Sequence, residues 1–545
     1  MVKAFLVLWM TLVLFACSGI DSRKKSKPDE SVRIQDAALP DTASLAGLTG
    51  KTLAQTYCRT CHIFPDPGLL DKVTWQKNVL PQMALRLGLN PGSINPYVGK
   101  STAEVYALLQ AGIFPQKPFL PEKAWHKIEA YYSNNAPVHL PLPSLPPIKP
   151  GLTNFSVLIP GLNKGKNALT TLVKYDTAAR ELWIGDLRNW LFRVDPALKV
   201  QDSVRVSSTP VDIIKGPSGY KVVCIGSLVP TDAGTGTLSL FSGTGSSSGP
   251  AELLSGLHRP VQVVEADLDQ DNLADLVVCN YGYNFGSLVW YQNLGQGRYR
   301  PDTLSSLPGA RKTEVIDLNH DGRPDVIALF AQGTETLRVY YNQGQGRFIS
   351  QDLIRLPPVY GTNYFDLHDF NQDGHPDILL VNGDNGDYSN IVKPYHGLRI
   401  FLNNGSNRFR QSYFYPMPGA WKALARDFDQ DGDLDIAAIS FFPDYKRAPE
   451  RGFVYLEQTG PLSFAAATFA RSQAGRWFTL EAADYDRDGD ADIILGSFVN
   501  AVTPVPAGLQ RQWFAGGPGV VVLQNSKKGP ANATHKSARR LVSSR

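Results

Sequence analysis

The chain has 545 residues, of which 43% are hydrophobic and 19% are charged. It also contains 48 Gly and 39 Pro, a composition that excludes a disordered chain, a coiled coil and a collagen. The 54 basic residues nearly balance the 50 acidic ones, so the net charge of +4 gives no reason to expect nucleic acid as a partner. The length predicts roughly two to four domains, or a repeat architecture that grows by addition of units.

The amino terminus predicts an exported protein. Residues 4–16 form an apolar run that is too short to span a bilayer comfortably and that ends at Cys17. The sequence Leu-Phe-Ala-Cys at residues 14–17 resembles the lipobox of bacterial lipoproteins. This resemblance implies removal of the signal peptide (1–16), a lipid anchor on Cys17 and a location in the cell envelope, at the periplasmic or outer-membrane face. An ordinary secretory signal with an incidental cysteine is the alternative.

Residues 17–44 are rich in Ser, Lys and Asp, and they predict a flexible tether between the anchor and the folded protein. Two further cysteines, Cys224 and Cys279, lie in apolar runs typical of strands. We expect buried free thiols there, and a disulfide between neighbouring strands is the alternative.

The segment Cys58-Arg-Thr-Cys61-His62 has the spacing for covalent haem attachment. Two thiols one helical turn apart can form thioethers with the haem vinyl groups, while the adjacent imidazole reaches the iron. A thioredoxin-like redox pair and a zinc site are the alternatives, but the first lacks its βαβ setting and the second lacks another ligand pair nearby.

Two helical patterns flank this motif. One precedes Cys58 and contains Gly50, and the other covers residues 121–132. The arrangement resembles class I cytochrome c, in which the first and last helices cross closely at a glycine and an aromatic residue. The resemblance implies a small all-α haem domain over residues 45–136 with covalently bound haem c.

The sixth haem ligand is less well defined by the sequence. Met83 is the only methionine near the CxxCH motif, and a thioether ligand raises the haem potential relative to a second histidine. His126 and His139 are alternative ligands. An open five-coordinate iron is a third possibility, and it would permit ligand binding or peroxide chemistry.

A proline-rich stretch follows the predicted haem domain, since six of the fourteen residues 137–150 are Pro. Proline disfavours both helices and central strands, so we expect a semi-rigid linker over residues 137–165. The remainder divides into a repeat region at 166–525 and a basic tail at 526–545 that we expect to be disordered.

One nine-residue acidic pattern occurs five times, beginning at Asp267, Asp317, Asp369, Asp427 and Asp484. The copies are 50, 52, 58 and 57 residues apart, and each lies between two apolar strand-like runs. This period is that of a four-stranded propeller blade. Residues 171–204 and 210–241 keep the strand rhythm without the acidic pattern, so the sequence predicts a seven-bladed, all-β propeller.

The acidic pattern also predicts calcium binding. Side-chain oxygens at positions 1, 3, 5 and 9, a glycine at position 6 and a backbone carbonyl at position 7 can surround a hard cation. Position 12 never carries the Glu that an EF-hand needs, and a solvated acidic turn is the alternative. The loops resemble FG-GAP/VCBS repeats of integrin-like propellers. The predicted ligands are Asp267, Asp269, Asp271, Asp275, Asp317, Asn319, Asp321, Asp325, Asp369, Asn371, Asp373, Asp377, Asp427, Asp429, Asp431, Asp435, Asp484, Asp486, Asp488 and Asp492.

Long connections should gather on the opposite face of the propeller, at residues 281–285, 384–396, 441–447 and 498–513. Their aromatic, basic and acidic side chains would suit a saccharide, a protein partner or a docked cytochrome, and packing between blades is the alternative.

These features predict a lipid-anchored, extracytoplasmic c-type cytochrome that transfers one electron to a redox partner protein. The propeller would bind a partner or a ligand such as a glycan. We expect an electron-transfer and binding protein more than an enzyme, because the sequence shows neither a quinoprotein tryptophan-docking repeat nor a clear acid/base dyad. A haem-linked dehydrogenase, a polysaccharide-degrading enzyme, and a haem peroxidase or sensor are the alternatives.

Overall fold

The computed structural model of the chain describes residues 45–526, except residues 93, 163–165, 242–249, 387–388 and 501–502. The predicted signal peptide, the predicted tether with Cys17 and residues 527–545 of the predicted tail lie outside these described residues, so these assignments stay predictions. Within the described part of the chain, no helix is both long and apolar enough to cross a bilayer.

Seven sheets follow one another along the chain as blades 1 to 7, which confirms the predicted seven-bladed, all-β propeller. Blade 1 contains β3 (Thr170–Asp176), β4 (Glu181–Asp186), β5 (Trp190–Val194) and β6 (Val200–Arg205). Blade 2 contains β7 (Pro210–Gly216), β8 (Gly219–Cys224), β9 (Gly236–Phe241) and β10 (Ala251–Leu257). Blade 3 contains β11 (Pro260–Ala266), β12 (Asp275–Asn280), β13 (Ser287–Asn293) and β14 (Tyr299–Ser305). Blade 4 contains β15 (Ala310–Ile316), β16 (Asp325–Gln332), β17 (Thr334–Asn342) and β18 (Phe348–Leu356).

The last three blades repeat this antiparallel order. Blade 5 contains β19 (Thr362–His368), β20 (Asp377–Asn382), β21 (Gly397–Asn403) and β22 (Phe409–Pro416). Blade 6 contains β23 (Ala420–Arg426), β24 (Asp435–Ser440), β25 (Phe453–Gly460) and β26 (Ser463–Thr468), and β1 (Lys149–Pro150) pairs in parallel with β26. Blade 7 contains β27 (Trp477–Ala483), β28 (Asp492–Ser497) and β29 (Val520–Asn525), with β2 (Phe155–Leu158) as its outer strand.

The ring is closed by strands from opposite ends of the propeller. Strand β2 pairs antiparallel with β29, so that Phe155 lies opposite Asn525. The propeller therefore begins inside the segment predicted as linker, before the expected boundary at residue 166. This closure satisfies the edge of the last blade, which would otherwise be exposed.

The core of the propeller lies between neighbouring blades. The second strands β12, β20, β24 and β28 are buried at every residue because each is covered on both faces. In the sequence such strands appear as continuous apolar runs, without the alternation of apolar and polar residues that is typical of a strand with one exposed face. Cys224 and Cys279 lie in this core as buried free thiols, as predicted.

Residues 45–136, here called the helical region, pack around a core of their own. This region contains helix α1 (Gly50–Tyr57), helix α2 in three consecutive pieces (Lys72–Thr74, Trp75–Val79 and Leu80–Arg86), helix α3 (Thr102–Gln110) and helix α4 (Glu122–Asn135). A fifth helix, α5 (Ala507–Phe514), lies between β28 and β29. Short 3-10 turns occur at Cys58–Thr60, Pro67–Leu69, Pro449–Gly452 and Ser472–Ala474.

Helices α1 and α4 cross at Gly50. A Cβ at that position would lie 2.1 Å from the Lys127 carbonyl oxygen and 2.9 Å from the Cβ of Tyr131, so only glycine allows this approach. The middle piece of α2 is a π-turn in which the Leu80 amide donates to the Trp75 carbonyl. This wider turn comes just before Pro81, a residue that ordinary helical geometry accommodates poorly.

Candidate functional site

The helical region lies against one face of the propeller. We call this face the mouth: it carries the loops between second and third strands and the links between blades. Arg86 Nη2 donates to Asn284 Oδ1 at 2.8 Å, and Lys100 Nζ pairs with Asp232 Oδ2 at 3.2 Å. On blade 5 the Tyr395 hydroxyl donates to the Leu69 carbonyl at 2.8 Å. The helical region is thus held at several blades by hydrogen bonds and one ion pair.

A cavity of about 430 Å³ lies between the helical region and the mouth. Its volume falls within the range usual for ligand and cofactor pockets. On one side the cavity is lined by Cys58, His62 and Met83 together with apolar side chains. On the other side it is lined by residues of the propeller, including Tyr283, Gln332, Glu335, Asn385 and Lys393. The structure thus brings three of the four predicted haem-binding residues to one cavity wall.

The imidazole of His62 is oriented by the backbone of the next residue, Ile63. Nδ1 lies 2.9 Å from the Ile63 carbonyl oxygen, and donation to that oxygen leaves Nε2 as the ring nitrogen with a free lone pair. Burial, with a smaller contribution from the Arg86 charge, holds the pKa of His62 below its usual value. The neutral imidazole is the form that ligates a metal.

The two cysteines of the motif differ in their surroundings. Cys58 faces the cavity, and burial raises its pKa to about 11, whereas Cys61 is exposed and does not line the cavity. A thioredoxin-like nucleophile requires a lowered pKa, so the environment of Cys58 does not suit that alternative. A thiol that is to be consumed in a thioether does not need to be a thiolate in the folded protein.

The candidates for the sixth ligand are also separated by the structure. Met83 lies on the last piece of α2, packs against the helical core and lines the cavity. His126 is 62% exposed and its Nδ1 lies 2.8 Å from Glu129 Oε2, while His139 is exposed and absent from the cavity wall. Of the three side chains considered, Met83 alone reaches the cavity.

The propeller side of the cavity carries buried polar groups. Glu335 accepts hydrogen bonds from the Gly361 amide at 2.8 Å, the Thr362 amide at 2.9 Å and the Thr362 hydroxyl. Burial nevertheless raises the pKa of Glu335 to about 7. Lys393 Nζ donates to Asn385 Oδ1 at 2.5 Å. Asn385 and Lys393 belong to the connection 384–396 that the sequence placed at the mouth, whereas Glu335 on strand β17 was not identified, because a single polar residue in a strand gives no periodic signal.

The remaining aromatic residues at the mouth mostly pack inside the protein. Trp477 and Trp513 are almost fully buried, and Phe441, Phe442 and Phe498 form one apolar cluster with Trp421 at its edge. This outcome matches the packing alternative given for the long connections.

The five acidic loops lie on the opposite face, between the first and second strands of blades 3 to 7. Position 6 has a left-handed backbone in all five, with φ between 68° at Asn272 and 99° at Gly489. Asparagine tolerates this conformation better than most residues, which explains why Asn272 can replace glycine.

Positions 1, 3 and 5 converge in the loops that carry three aspartates. In blades 3, 6 and 7 one carboxylate oxygen from each of these positions lies within 4.8 Å of the others. Two oxygens bound to one Ca²⁺ at about 2.4 Å can be at most about 4.8 Å apart, so the three groups fit a shared ion. They are Asp267, Asp269 and Asp271; Asp427, Asp429 and Asp431; and Asp484, Asp486 and Asp488.

In blades 4 and 5 an asparagine occupies position 3, and the aspartates of the loop accept hydrogen bonds from groups of the same loop. Asn319 Nδ2 donates to Asp321 Oδ2 at 3.0 Å, and Arg323 Nη2 pairs with the same oxygen at 2.6 Å. Asn371 Nδ2 donates to Asp373 Oδ2 at 2.9 Å. Asp317 and Asp369, at position 1, accept from the amides of positions 5 and 6.

Position 9 has a structural role that the sequence did not reveal. In blade 7, Asp492 accepts from the Tyr485 amide at 2.7 Å and from the Asn525 amide at 2.8 Å, so it ties the acidic loop to the third strand. Asp275, Asp325 and Asp377 repeat this pair of bonds, while Asp435 accepts from the Tyr455 hydroxyl and the Gln458 amide. All five are buried and none belongs to the three-carboxylate groups.

A family model for the FG-GAP-like repeat matches residues 267–328 and 317–380, which cover the acidic loops of blades 3 to 5. No curated protein sequence is significantly similar to the chain. Among solved structures, the chain is similar to the N-terminal domain of Nup159 (10% identity, TM-score 0.38, covering 70% of this chain and 98% of that one). It is also similar to the Neurospora crassa Pan2 WD40 domain (10% identity, TM-score 0.41, covering 70% of this chain and 99% of that one). A third similar structure is the Dos1 propeller (9% identity, TM-score 0.37, covering 65% of this chain and 77% of that one).

Proposed function

We propose that the chain is an extracytoplasmic c-type cytochrome, lipid-anchored through Cys17, whose haem is covalently attached in the cavity between the helical region and the propeller. The observation that carries this proposal is the shared cavity wall of Cys58, His62 and Met83. The close crossing of α1 and α4 at Gly50 supports a cytochrome c-like arrangement of the helical region.

Three of the four donors for a haem of the c type line the cavity, and the fourth, Cys61, is exposed next to His62 in the chain. Cys58 and Cys61 would hold the porphyrin by thioethers, and His62 Nε2 and Met83 Sδ would ligate the iron. A bound haem supplies a one-electron redox couple, which a thioether ligand moves toward higher potential. The protein contributes an oriented neutral imidazole and an apolar wall.

The propeller would act in two ways. Its mouth covers the haem cavity, and its acidic loops would hold calcium on the far face and so stabilise the blades. A redox partner protein or a ligand such as a glycan would bind to surfaces that the helical region leaves uncovered. This intramolecular covering favours electron transfer over ligand binding at the iron.

The test is production of the full chain in a host that attaches haem to CxxCH motifs. The expected product is coloured, keeps its haem after denaturation and carries the added mass. Cys58→Ser and Cys61→Ser should abolish the stable attachment, and a colourless product lacking the added mass would refute the redox proposal. The reduced protein should bind carbon monoxide slowly if Met83 is a ligand, and Met83→Ala should make binding rapid.

A further inference from the structure

The five acidic loops differ at position 7, which was expected to contribute only its backbone carbonyl. Blades 3, 4 and 5 have Leu273, Arg323 and His375 there, whereas blades 6 and 7 have Asp433 and Asp490. These two loops therefore carry five aspartates in nine residues. We infer that the carboxylates of Asp433 and Asp490, which lie outside the three-carboxylate groups of positions 1, 3 and 5, add negative charge beside the bound ion, so that blades 6 and 7 hold a pair of tight calcium sites and the other three loops bind calcium more weakly. This inference rests on the calcium part of the proposed function.

Buried carboxylate oxygens that lack hydrogen-bond partners are also more numerous in the loops of blades 6 and 7 than in those of blades 3, 4 and 5. Blade 6 has two such buried atoms, Oδ1 of Asp427 and Oδ1 of Asp433, and blade 7 has Oδ1 of Asp484 and Oδ1 of Asp490. The loop of blade 3 has one, Oδ1 of Asp269. The loops of blades 4 and 5, which are fully described, have none. Because a buried oxygen without a partner is costly, each of these atoms favours a bound cation.

Asp490 is the strongest of these observations. Its side chain belongs to a residue that is only 4% exposed, and its neighbours in the loop are the acidic residues Asp486, Asp488 and Asp492. No basic side chain is paired with it, so a divalent cation is the natural counter-charge.

Asp433 occupies the same loop position in blade 6. Its side chain is half-buried, and its Oδ1 has no hydrogen-bond partner. In contrast, the position-7 residue of blade 4 is a cation: Arg323 already neutralises Asp321. Calcium binding there would have to compete with the guanidinium group, which weakens the site.

The two proposed tight sites are neighbours, and they lie where the ring closes. Gln430 Nε2, at position 4 of the blade 6 loop, donates to the Gly489 carbonyl of the blade 7 loop at 2.9 Å. Asn525 Nδ2, on the closing strand β29, donates to the Phe428 carbonyl of the blade 6 loop and to the Ala491 carbonyl. Calcium at these loops would therefore stabilise the closure between β2 and β29.

The test is calorimetric Ca²⁺ titration of the full, haem-loaded chain after treatment with a chelator. We expect two tight ions per chain, with affinity at least ~10-fold above that of any further ions. Asp490→Asn and Asp433→Asn should each remove one tight ion, and the double variant should remove both. His375→Asn changes the same loop position where no carboxylate is present, and it should leave both.

Folding of each variant is checked by circular dichroism in excess calcium, and Asp433→Asn provides the answer if Asp490→Asn does not fold. Ions that bind with equal affinity, or tight binding that survives the double variant, would overturn the inference while leaving calcium binding itself in place. Absence of any bound calcium would overturn both the inference and the calcium part of the proposed function.

Discussion

The hydroxyl of Thr334, at the start of β17 in blade 4, donates a 3.2 Å hydrogen bond to the carbonyl oxygen of Cys61. The CxxCH motif is thereby joined directly to the propeller, 273 residues further along the chain. The helical region and the propeller both contribute residues to the cavity wall, so the cavity is complete only when the two are packed together.

The ion pair between Lys100 and Asp232 should contribute substantially to this docking. The Asp232 side chain is fully buried and the Lys100 side chain is 13% exposed, so Lys100→Met leaves a buried carboxylate without its cation. We expect a loss of roughly 2 kcal/mol, measured by urea denaturation followed by circular dichroism. Lys123→Met, at an exposed lysine of α4, should change little. Equal stability of the two variants would show that the docking does not depend on this pair.

Gly50→Ala should disrupt the helical region. The new Cβ would meet the Lys127 carbonyl at 2.1 Å, and a backbone atom cannot yield as a flexible side chain can. We expect a loss of about 3 kcal/mol or more, read from thermal melting of the helical signal. Gly47→Ala is the matched control because its added Cβ meets nothing within 4 Å. A fully stable Gly50→Ala variant would contradict the close crossing of α1 and α4.

Variants of Asp492 and Asp488 should show that the first residue stabilises the fold of the blade 7 loop and that the second binds the ion. Asp492→Ala leaves two buried amides, those of Tyr485 and Asn525, without acceptors, so we expect a loss of about 2 to 6 kcal/mol even in chelator. Asp488→Ala should have little effect in chelator but should reduce the rise in melting temperature on addition of calcium. The measurement is thermal melting with and without calcium, and the opposite pattern would exchange the two roles.

Glu335 should make stability depend on pH. Because its pKa in the folded protein is about 7, above the ordinary value for Glu, the folded state holds a proton that the unfolded state releases. Its contribution is therefore complete at low pH and is lost as the pH rises toward and through 7. Glu335→Gln should flatten this part of the curve of unfolding free energy between pH 4 and 8, by up to roughly 3 kcal/mol. An unchanged curve would refute the raised pKa.

Much of the fold could be predicted from the sequence because the acidic loops recur at a blade-like period. Strand β2 was missed because a strand of four residues is too short to show a periodic pattern, and its pairing partner lies at the other end of the propeller. The convergence of positions 1, 3 and 5 follows from local loop geometry. The bonds of Asp492 to Asn525 and the wall formed by Glu335 depend on tertiary contacts, which spacing along the chain does not encode.

The closure of the ring by β2 and β29 also sets an order of biosynthesis. The helical region is synthesised first, whereas blade 7 cannot be completed until residue 525 has been added to the chain. During that interval the cavity wall with Cys58 and His62 is not yet covered by the finished propeller. If the chain is a c-type cytochrome as proposed, its haem-attachment enzymes have their best access in this window, before maturation buries the site.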